Sequence, residues 1–198
     1  MAASSRLRRL ADEAAGCRAC PLWRDATQVV FGEGPVSARL IAVGEQPGDQ
    51  EDRQGHPFVG PAGRVLDDAF DAAGIERSAV YVTNAVKHFK WQARGKRRIH
   101  DKPNRTEVVA CHQWLDAELA VLRDDAVVVA LGATAGQSLL GPAFRVGRAR
   151  GADLALGPHP LVATIHPSAV LRGPKEDRAE RFDGLVADLR RASVLLPA

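Results

Sequence analysis

Short apolar segments alternate with helical patterns along most of this chain, and this alternation limits the fold more than any other feature. The segments at residues 39–45, 80–84, 126–131 and 161–165 are almost continuously apolar, which is typical of strands buried on both faces. Because helical patterns separate them, they predict a four-stranded parallel sheet between two layers of helices. The expected architecture is a three-layer α/β/α fold.

The helical patterns are bounded by residues that commonly begin or end helices. The clearest one begins at Pro61 and stops at Gly74, as expected for proline in the first turn and glycine after the last. A stretch rich in glycine and arginine at residues 146–157 predicts a hairpin. Helices are predicted at residues 5–15, 61–74, 106–122, 133–140 and 175–192.

The length and composition indicate one soluble domain over residues 1–198. The chain has 198 residues, of which 45% are hydrophobic and 26% charged, which is ordinary for a globular protein with its own core. No apolar run approaches the roughly 20 residues that span a bilayer, and the N-terminus lacks an apolar secretory stretch. We therefore expect a cytoplasmic protein with no membrane partner, and nothing demands more than a monomer.

Polar residues follow the predicted strands. Glu45 and Gln46 follow the first strand, Asn84 ends the second, Gly132 follows the third and His166 follows the last. Parallel strands present their carboxyl ends at one sheet edge, where ligands bind in folds of this class. The alternative is that these residues only terminate strands. Their convergence favours a functional site.

The positive charge of the chain is concentrated in residues 87–105. This segment carries eight Lys or Arg residues and one acid, Asp101, so its charge is +7 while the whole chain is +3. Such a concentration is the electrostatic footprint of a contact with a phosphate backbone. His100 lies inside the segment. Charge alone makes it one more residue that contacts phosphate.

The chain has three cysteines, a small and odd number that argues against a disulfide framework. Cys17 and Cys20 form a C-x-x-C pair, Cys111 could add a third ligand, and His88 is the best candidate for a fourth. This spacing does not separate a zinc site with three Cys and one His from an iron–sulfur cluster, which usually has four Cys. Cysteines without a metal are the remaining alternative.

Four motifs together resemble family-four uracil-DNA glycosylases. They are GEQPGDQED at residues 44–52, HPFVGPAGR at 56–64, VTNAVK at 82–87 and HPSAVLR at 166–172. The resemblance implies the uracil-DNA glycosylase α/β fold, a [4Fe-4S] cluster, and cleavage of the N-glycosidic bond of uracil in DNA. The implied cluster ligands are Cys17, Cys20, His88 and Cys111.

The resemblance also assigns roles to residues of the motifs. Phe58 is expected to stack on a flipped uracil, Asn84 to read its edge, and His166 to hydrogen-bond the carbonyl oxygen that gains negative charge. Leu171 could wedge into the base stack. The other expected contacts are those of Gln46 and Gly48 with uracil, and those of Arg97, Arg98, Ser168 and Arg172 with DNA.

The chain departs from the usual family pattern at three places. His88 stands where a cluster cysteine is usual. Gln46 stands where some relatives have a carboxylate that activates water, and an amide cannot act as that base. The segment KRRIH, at residues 96–100, looks inserted. Together these departures resemble the UdgX branch, which cleaves uracil from DNA and remains joined to the abasic sugar.

That branch implies a covalent mechanism. Neutral His100 would attack C1′ of the sugar while Glu45 holds the other ring N–H, and single-stranded DNA at the nucleoid would be the preferred partner. Two alternatives stay open from the sequence. One is an ordinary multiple-turnover glycosylase that uses water, and the other is a non-catalytic, metal-containing module that binds DNA.

Overall fold

Two sheets form the framework of the protein, which a computed structural model describes over residues 2–197. The larger sheet has the spatial order β2-β1-β5-β7-β6, and the smaller sheet pairs β3 with β4. The strands are β1 (Leu40–Gly44), β2 (Val80–Asn84), β3 (Trp91–Arg94), β4 (Arg97–His100), β5 (Val127–Leu131), β6 (Leu154–Leu156) and β7 (His159–Thr164).

Helices cover both faces of the larger sheet. No helix within residues 2–197 is long and apolar enough to span a membrane. The helices are α1 (Ala3–Ala15), α2 (Asp49–Gln54), α3 (Pro61–Ala73), α4 (Arg105–Leu119), α5 (Gly132–Leu140), α6 (Val146–Ala149), α7 (Ser168–Arg172) and α8 (Arg178–Val194).

Alternate residues of the central strands bury their side chains in two separate cores. In β1, Leu40 and Ala42 join the core beneath α3 and α8. Ile41 and Val43 join the core beneath α4 and α5. Because every residue of β1, β2 and β5 is buried, these strands read as continuous apolar runs. This confirms the three-layer fold expected from the sequence.

The sheet differs from the expected one at an edge. Its four parallel strands are confirmed, but β6 adds a fifth that runs antiparallel to β7. The stretch at residues 146–157 was expected to form a hairpin by itself. Instead its first residues form α6, and β6 turns at Gly157, with φ +56°, to pair with β7. A three-residue strand gives almost no periodic signal, so the sequence did not separate β6 from its turn.

The basic segment at residues 87–105 contains a hairpin that its sequence did not predict. β3 and β4 pair antiparallel and Gly95, with φ +60°, lies in the turn between them. Since Trp91 pairs with His100 and Gln92 with Ile99, His100 shares a face with Trp91 while Ile99 faces the opposite way.

Candidate active site

The carboxyl ends of the parallel strands open into a cleft of about 820 Å³. The polar residues that follow the strands do converge there, as their positions in the sequence predicted. The β3–β4 hairpin supplies His100 to the same cleft. Lining residues include Glu45, Phe58, Asn84, His100, His166 and Leu171.

One wall of the cleft joins an aromatic ring to an amide. Asn84 is 3% exposed, and its Oδ1 has no hydrogen-bond partner within residues 2–197. Phe58 has φ +59°, a strained value for this residue type. A Cβ atom on Gly44 would overlap Asn84 Oδ1 and would lie only 2.6 Å from Phe58 Cζ. Gly44 therefore gives these two side chains their space.

His166 is held as a neutral hydrogen-bond donor. Its Nδ1 accepts the backbone N–H of Ser168 at 3.2 Å and lies 2.7 Å from Ser168 Oγ, which in turn accepts from Arg172 at 2.8 Å. Burial lowers the pKa of His166 to about 4, even though the nearby Glu45 charge acts to raise it. With Nδ1 used as an acceptor, the proton resides on Nε2. His166 can therefore donate to an oxygen atom.

Glu45 connects the sheet to the hairpin. Its Oε2 accepts the hydroxyl of Thr134, and its Oε1 lies 3.2 Å from Nε2 of His100. Burial acts to raise the pKa of Glu45, but hydrogen bonds from His100 and Thr134, with a smaller electrostatic contribution from His100 and His166, lower it to about 2. The carboxylate is therefore ionised at neutral pH. The side chain of His100 stays 39% exposed, which leaves it open to a substrate.

The side chain of Gln46 holds the base of the hairpin. Its Oε1 accepts the N–H of Lys90 at 3.2 Å, and its Nε2 donates to the carbonyls of Lys90 and Asp101 at 3.1 and 3.0 Å. Gln46 also lines the cleft, where a uracil contact was expected from the sequence. Both ends of its amide already bond backbone groups of Lys90, which precedes β3, and Asp101, which follows β4.

Arg98 fastens the same hairpin to α2. Its Nε lies 2.5 Å from Asp49 Oδ1 and its Nη1 lies 2.6 Å from Asp52 Oδ2, and its guanidinium sits 5.5 Å from the ring centroid of Phe89. The phosphate contact expected for Arg98 stays a prediction, and this geometry does not favour it. Arg97 is exposed on the opposite face.

Comparison with known proteins places the chain in a family. The family model described as the uracil DNA glycosylase superfamily matches residues 31–190. The chain belongs to that superfamily. Relatives include type-4 uracil-DNA glycosylases from Thermotoga maritima (39% identical over 158 residues, 79% of this chain and 78% of the relative) and Pyrobaculum aerophilum (34% over 176 residues, 85% and 86%). A type-5 uracil-DNA glycosylase from Thermus thermophilus is 31% identical over 155 residues, 63% of this chain and 67% of that protein.

One of the eight cations of the basic segment is buried in this superfamily member and adds no charge to the surface. Lys87 is only 1% exposed, and its Nζ lies 2.5 Å from Glu118 Oε2. It also donates to Thr83 Oγ1 at 2.6 Å and to the carbonyl of Asn84 at 2.8 Å. Lys87 therefore supports the active-site strand and does not face DNA. The exposed cations of the segment are Arg94, Lys96, Arg97, Lys102 and Arg105.

The three cysteines of this superfamily member share one region. Cys111 packs with Cys20 in an apolar cluster, and Sγ of Cys111 accepts the backbone N–H of Lys87 at 3.2 Å. Sγ of Cys17 accepts Nε1–H of Trp114 at 3.2 Å. Such N–H donors suit thiolate ligands. Burial raises the pKa of Cys111 to about 11.

The four expected cluster ligands, three cysteines and His88, are not arranged around a single point. His88 is buried, and burial lowers its pKa, so it can offer a neutral ring nitrogen. Within residues 2–197, no group of three or more His, Cys, Asp or Glu side chains is arranged to hold a metal ion. The residue types and N–H donors fit a cluster, and the four-ligand geometry stays a prediction.

Thr134 and Gly44 are site residues that the sequence did not reveal. Gly44 opens the GEQPG motif, so its small size was an available signal. Thr134 lies two residues into α5 and bonds Glu45 across 89 positions of sequence. Such a contact has no local pattern that could have identified it.

Proposed function

We propose that this protein, as a single glycosylase domain, excises uracil from DNA and retains the abasic sugar as a covalent adduct on His100. The observation that carries the proposal is the 3.2 Å approach of His100 Nε2 to Glu45 Oε1 within the cleft. Superfamily membership and the type-4 relatives support the excision. The KRRIH hairpin supports the adduct.

Recognition of uracil follows from the groups in the cleft. The ring of Phe58 offers a stacking surface for a base that has left the helix. The unpartnered Oδ1 of Asn84 is an acceptor for the N3–H of uracil, and its amide N–H can donate to the adjacent carbonyl. Leu171, 36% exposed at the rim, can fill the space that the base vacates. A cytosine has no N3–H, so the same acceptor disfavours it.

Bond cleavage develops negative charge on uracil and positive charge on the sugar. As the C1′–N1 bond breaks, its electron pair moves onto the base, where Nε2–H of His166 stabilises the charged carbonyl oxygen. A neutral donor is suited to this position because it adds no net charge before the reaction. The released uracil takes a proton from solvent.

His100 captures the sugar. A carboxylate at Nε2 favours the tautomer with its proton there, and this leaves a lone pair on Nδ1. That lone pair forms a bond to C1′, Glu45 stabilises the resulting imidazolium, and the Nε2 proton passes to solvent. The adduct is an N-alkyl imidazole, whose ring is a poor leaving group, so each protein molecule reacts once.

The [4Fe-4S] cluster is proposed as a structural element. Cys17, Cys20, His88 and Cys111 would hold it and join the N-terminal segment to α4 and the end of β2. When bound it would supply a cross-link and no reaction step. Iron and sulfide content and the visible absorption of anaerobically purified protein test this proposal. A colourless protein that contains zinc would contradict it.

The covalent step is tested by incubating the protein with uracil-containing single-stranded DNA, its proposed preferred substrate. We expect a slower band in denaturing electrophoresis that survives SDS and heat, with about one free uracil for each protein monomer. His100→Ser should abolish the band. Ile99→Ser, a change at the adjacent exposed position on the other face of the hairpin, is the matched control and should retain it.

An ordinary multiple-turnover glycosylase is the second candidate, favoured by the type-4 names of the relatives. It predicts many free uracil molecules for each protein and no heat-resistant band. That result would overturn the covalent step and leave excision intact. A protein that binds DNA and releases no uracil would overturn both.

A further inference from the structure

A second cavity, of about 470 Å³, adjoins the uracil cleft. It lies between the N-terminal half of α4 and helix α5. Lys102 lines both this cavity and the cleft. Thr134 lines this cavity and bonds Glu45, which lines the cleft, so the two spaces are neighbours. The wall on the α4 side includes Arg105, Val108, Val109 and His112.

The lining of this cavity suits a nucleotide. Lys102 and Arg105 contribute two cations, and no Asp or Glu is among the described residues that line it. Val108 and Val109 add apolar surface, and Val109 is 64% exposed, which is unusual for a large aliphatic side chain. Cations beside an apolar surface match a phosphate joined to a base. The volume lies within the range of small-molecule sites.

His112 is fixed at the side of the cavity. Its Nδ1 lies 3.2 Å from Ser138 Oγ on α5, and its Nε2 lies 3.3 Å from Asp116 Oδ1 on α4. These two contacts restrict the imidazole ring to one orientation. The ring thus adds a rigid flat group to the wall without the ordering cost that a free side chain would have on binding.

We propose that this cavity binds the nucleotide next to the excised uracil in the same DNA strand, and we call it the flanking-nucleotide pocket. A strand with its uracil in the cleft would pass Lys102, which borders both spaces, and place the neighbouring base on Val108 and Val109. The proposal rests on the proposed uracil excision and not on the covalent step. It makes the protein a reader of at least two adjacent nucleotides.

The test measures single-turnover uracil release from oligonucleotides that carry no, one or three nucleotides on the 5′ side of uracil, and separately on the 3′ side. We expect the first added nucleotide on one side to raise the rate about tenfold, which corresponds to about 1.4 kcal/mol of added binding. Val109→Glu and Arg105→Ala should each reduce this rise to less than threefold. Val194→Glu, at an exposed valine near the end of α8, is the control and should keep the full rise.

The other results contradict either the flanking-nucleotide pocket or the excision on which it rests. No rise on either side in the wild-type protein would overturn it, as would a full rise in both variants. A uniform loss on every oligonucleotide would show a general electrostatic or folding effect, and thermal unfolding of the variants identifies the latter. Absence of release even from the longest wild-type substrate would overturn the proposed excision instead, so the two failures are distinguishable.

Discussion

At the scale of single residues, Gly44 determines how closely the end of β1 approaches the uracil cleft. The two functional side chains nearest to it, Asn84 and Phe58, leave no room for even a methyl group. The strained backbone of Phe58 is supported from a second side, since a Cβ atom on Gly63 would overlap its carbonyl oxygen. Two glycines thus fix the ring on which a base is proposed to stack.

Gly44→Ala should lower uracil release about 100-fold, because shifts of about 1 Å in a reacting group have effects of this size. Single-turnover release of uracil is the measurement. Gly147→Ala, at a position where an added Cβ meets nothing within 4 Å, is the control. Equal rates for the two variants would show that the Gly44 contact does not position the site.

Gln46→Glu should uncouple capture of the sugar from excision. A carboxylate can accept the N–H of Lys90 but cannot donate to the carbonyls of Lys90 and Asp101, which it would repel. We expect the yield of adduct for each uracil released to fall at least threefold. Gln113→Glu, at an exposed position of α4, should leave this ratio unchanged.

His166 should make the stability of the protein depend on pH. Burial lowers its pKa from an ordinary value of 6.5 to about 4, so below pH 6.5 the unfolded chain binds a proton that the folded protein does not. The free energy of unfolding therefore falls from pH 6.5 toward pH 4 on account of this group, and the effect levels off below pH 4. Urea unfolding of the wild-type protein and of His166→Asn across this range should show a shallower pH dependence in the variant.

At the scale of elements, the β3–β4 hairpin carries His100, and its two adjacent arginines point to opposite faces. Arg98 binds the carboxylates of Asp49 and Asp52 on α2, whereas Arg97 faces solvent. Adjacent residues of a strand point to opposite faces. One arginine of KRRIH therefore holds the hairpin, and the other is free to meet phosphate.

Arg98→Ala should loosen the hairpin, and Arg97→Ala should not. We expect hydrogen exchange at the Asp101 N–H, which bonds the Lys90 carbonyl at 3.0 Å, to become at least tenfold faster in Arg98→Ala. Arg97→Ala should instead reduce the salt dependence of DNA binding by about one ion. If the two variants behaved alike, the division of roles would be wrong.

The sequence revealed the main sheet but not the hairpin, for a physical reason. The strands β1, β2 and β5 are buried on both faces, so their continuous apolar runs are visible in the chain. The hairpin has polar residues on both faces because it packs through Arg98 and Gln46. Its contacts connect residues more than 40 positions apart, and a local pattern does not contain them. The motifs located the cleft, and the resemblance predicted His100 beside Glu45, but the hairpin that carries His100 there was seen only in the fold.

At the scale of the whole molecule, a buried ion pair joins the active site to the cysteine region. Glu118 on α4 accepts from Lys87, Thr83 and Tyr81. Lys87 also bonds the carbonyl of Asn84 through Nζ and the sulfur of Cys111 through its backbone N–H. Lys87, three residues after β2, thus contacts α4 twice: its ammonium group binds Glu118, and its backbone N–H bonds Cys111.

Lys87→Met should destabilise the protein by about 3–5 kcal/mol, because it leaves the buried carboxylate of Glu118 without its ion partner. The free energy of unfolding, from urea titration, is the measurement. Lys96→Met, at the exposed tip of the hairpin, is the control and should change it by less than about 0.5 kcal/mol. A similar small effect at Lys87 would show that the pair contributes little.

The strand order also governs when the chain can fold during its synthesis. β1 lies between β2 and β5, and Leu40 pairs with Val80 on one side and with Val127 on the other. The ribosome must therefore release most of the polypeptide before the central strand has both neighbours. Until then β1 presents an open apolar edge of the kind that pairs with other chains. A nascent chain halted before β5 should need a chaperone to stay dissolved, whereas one that extends through β7 should not.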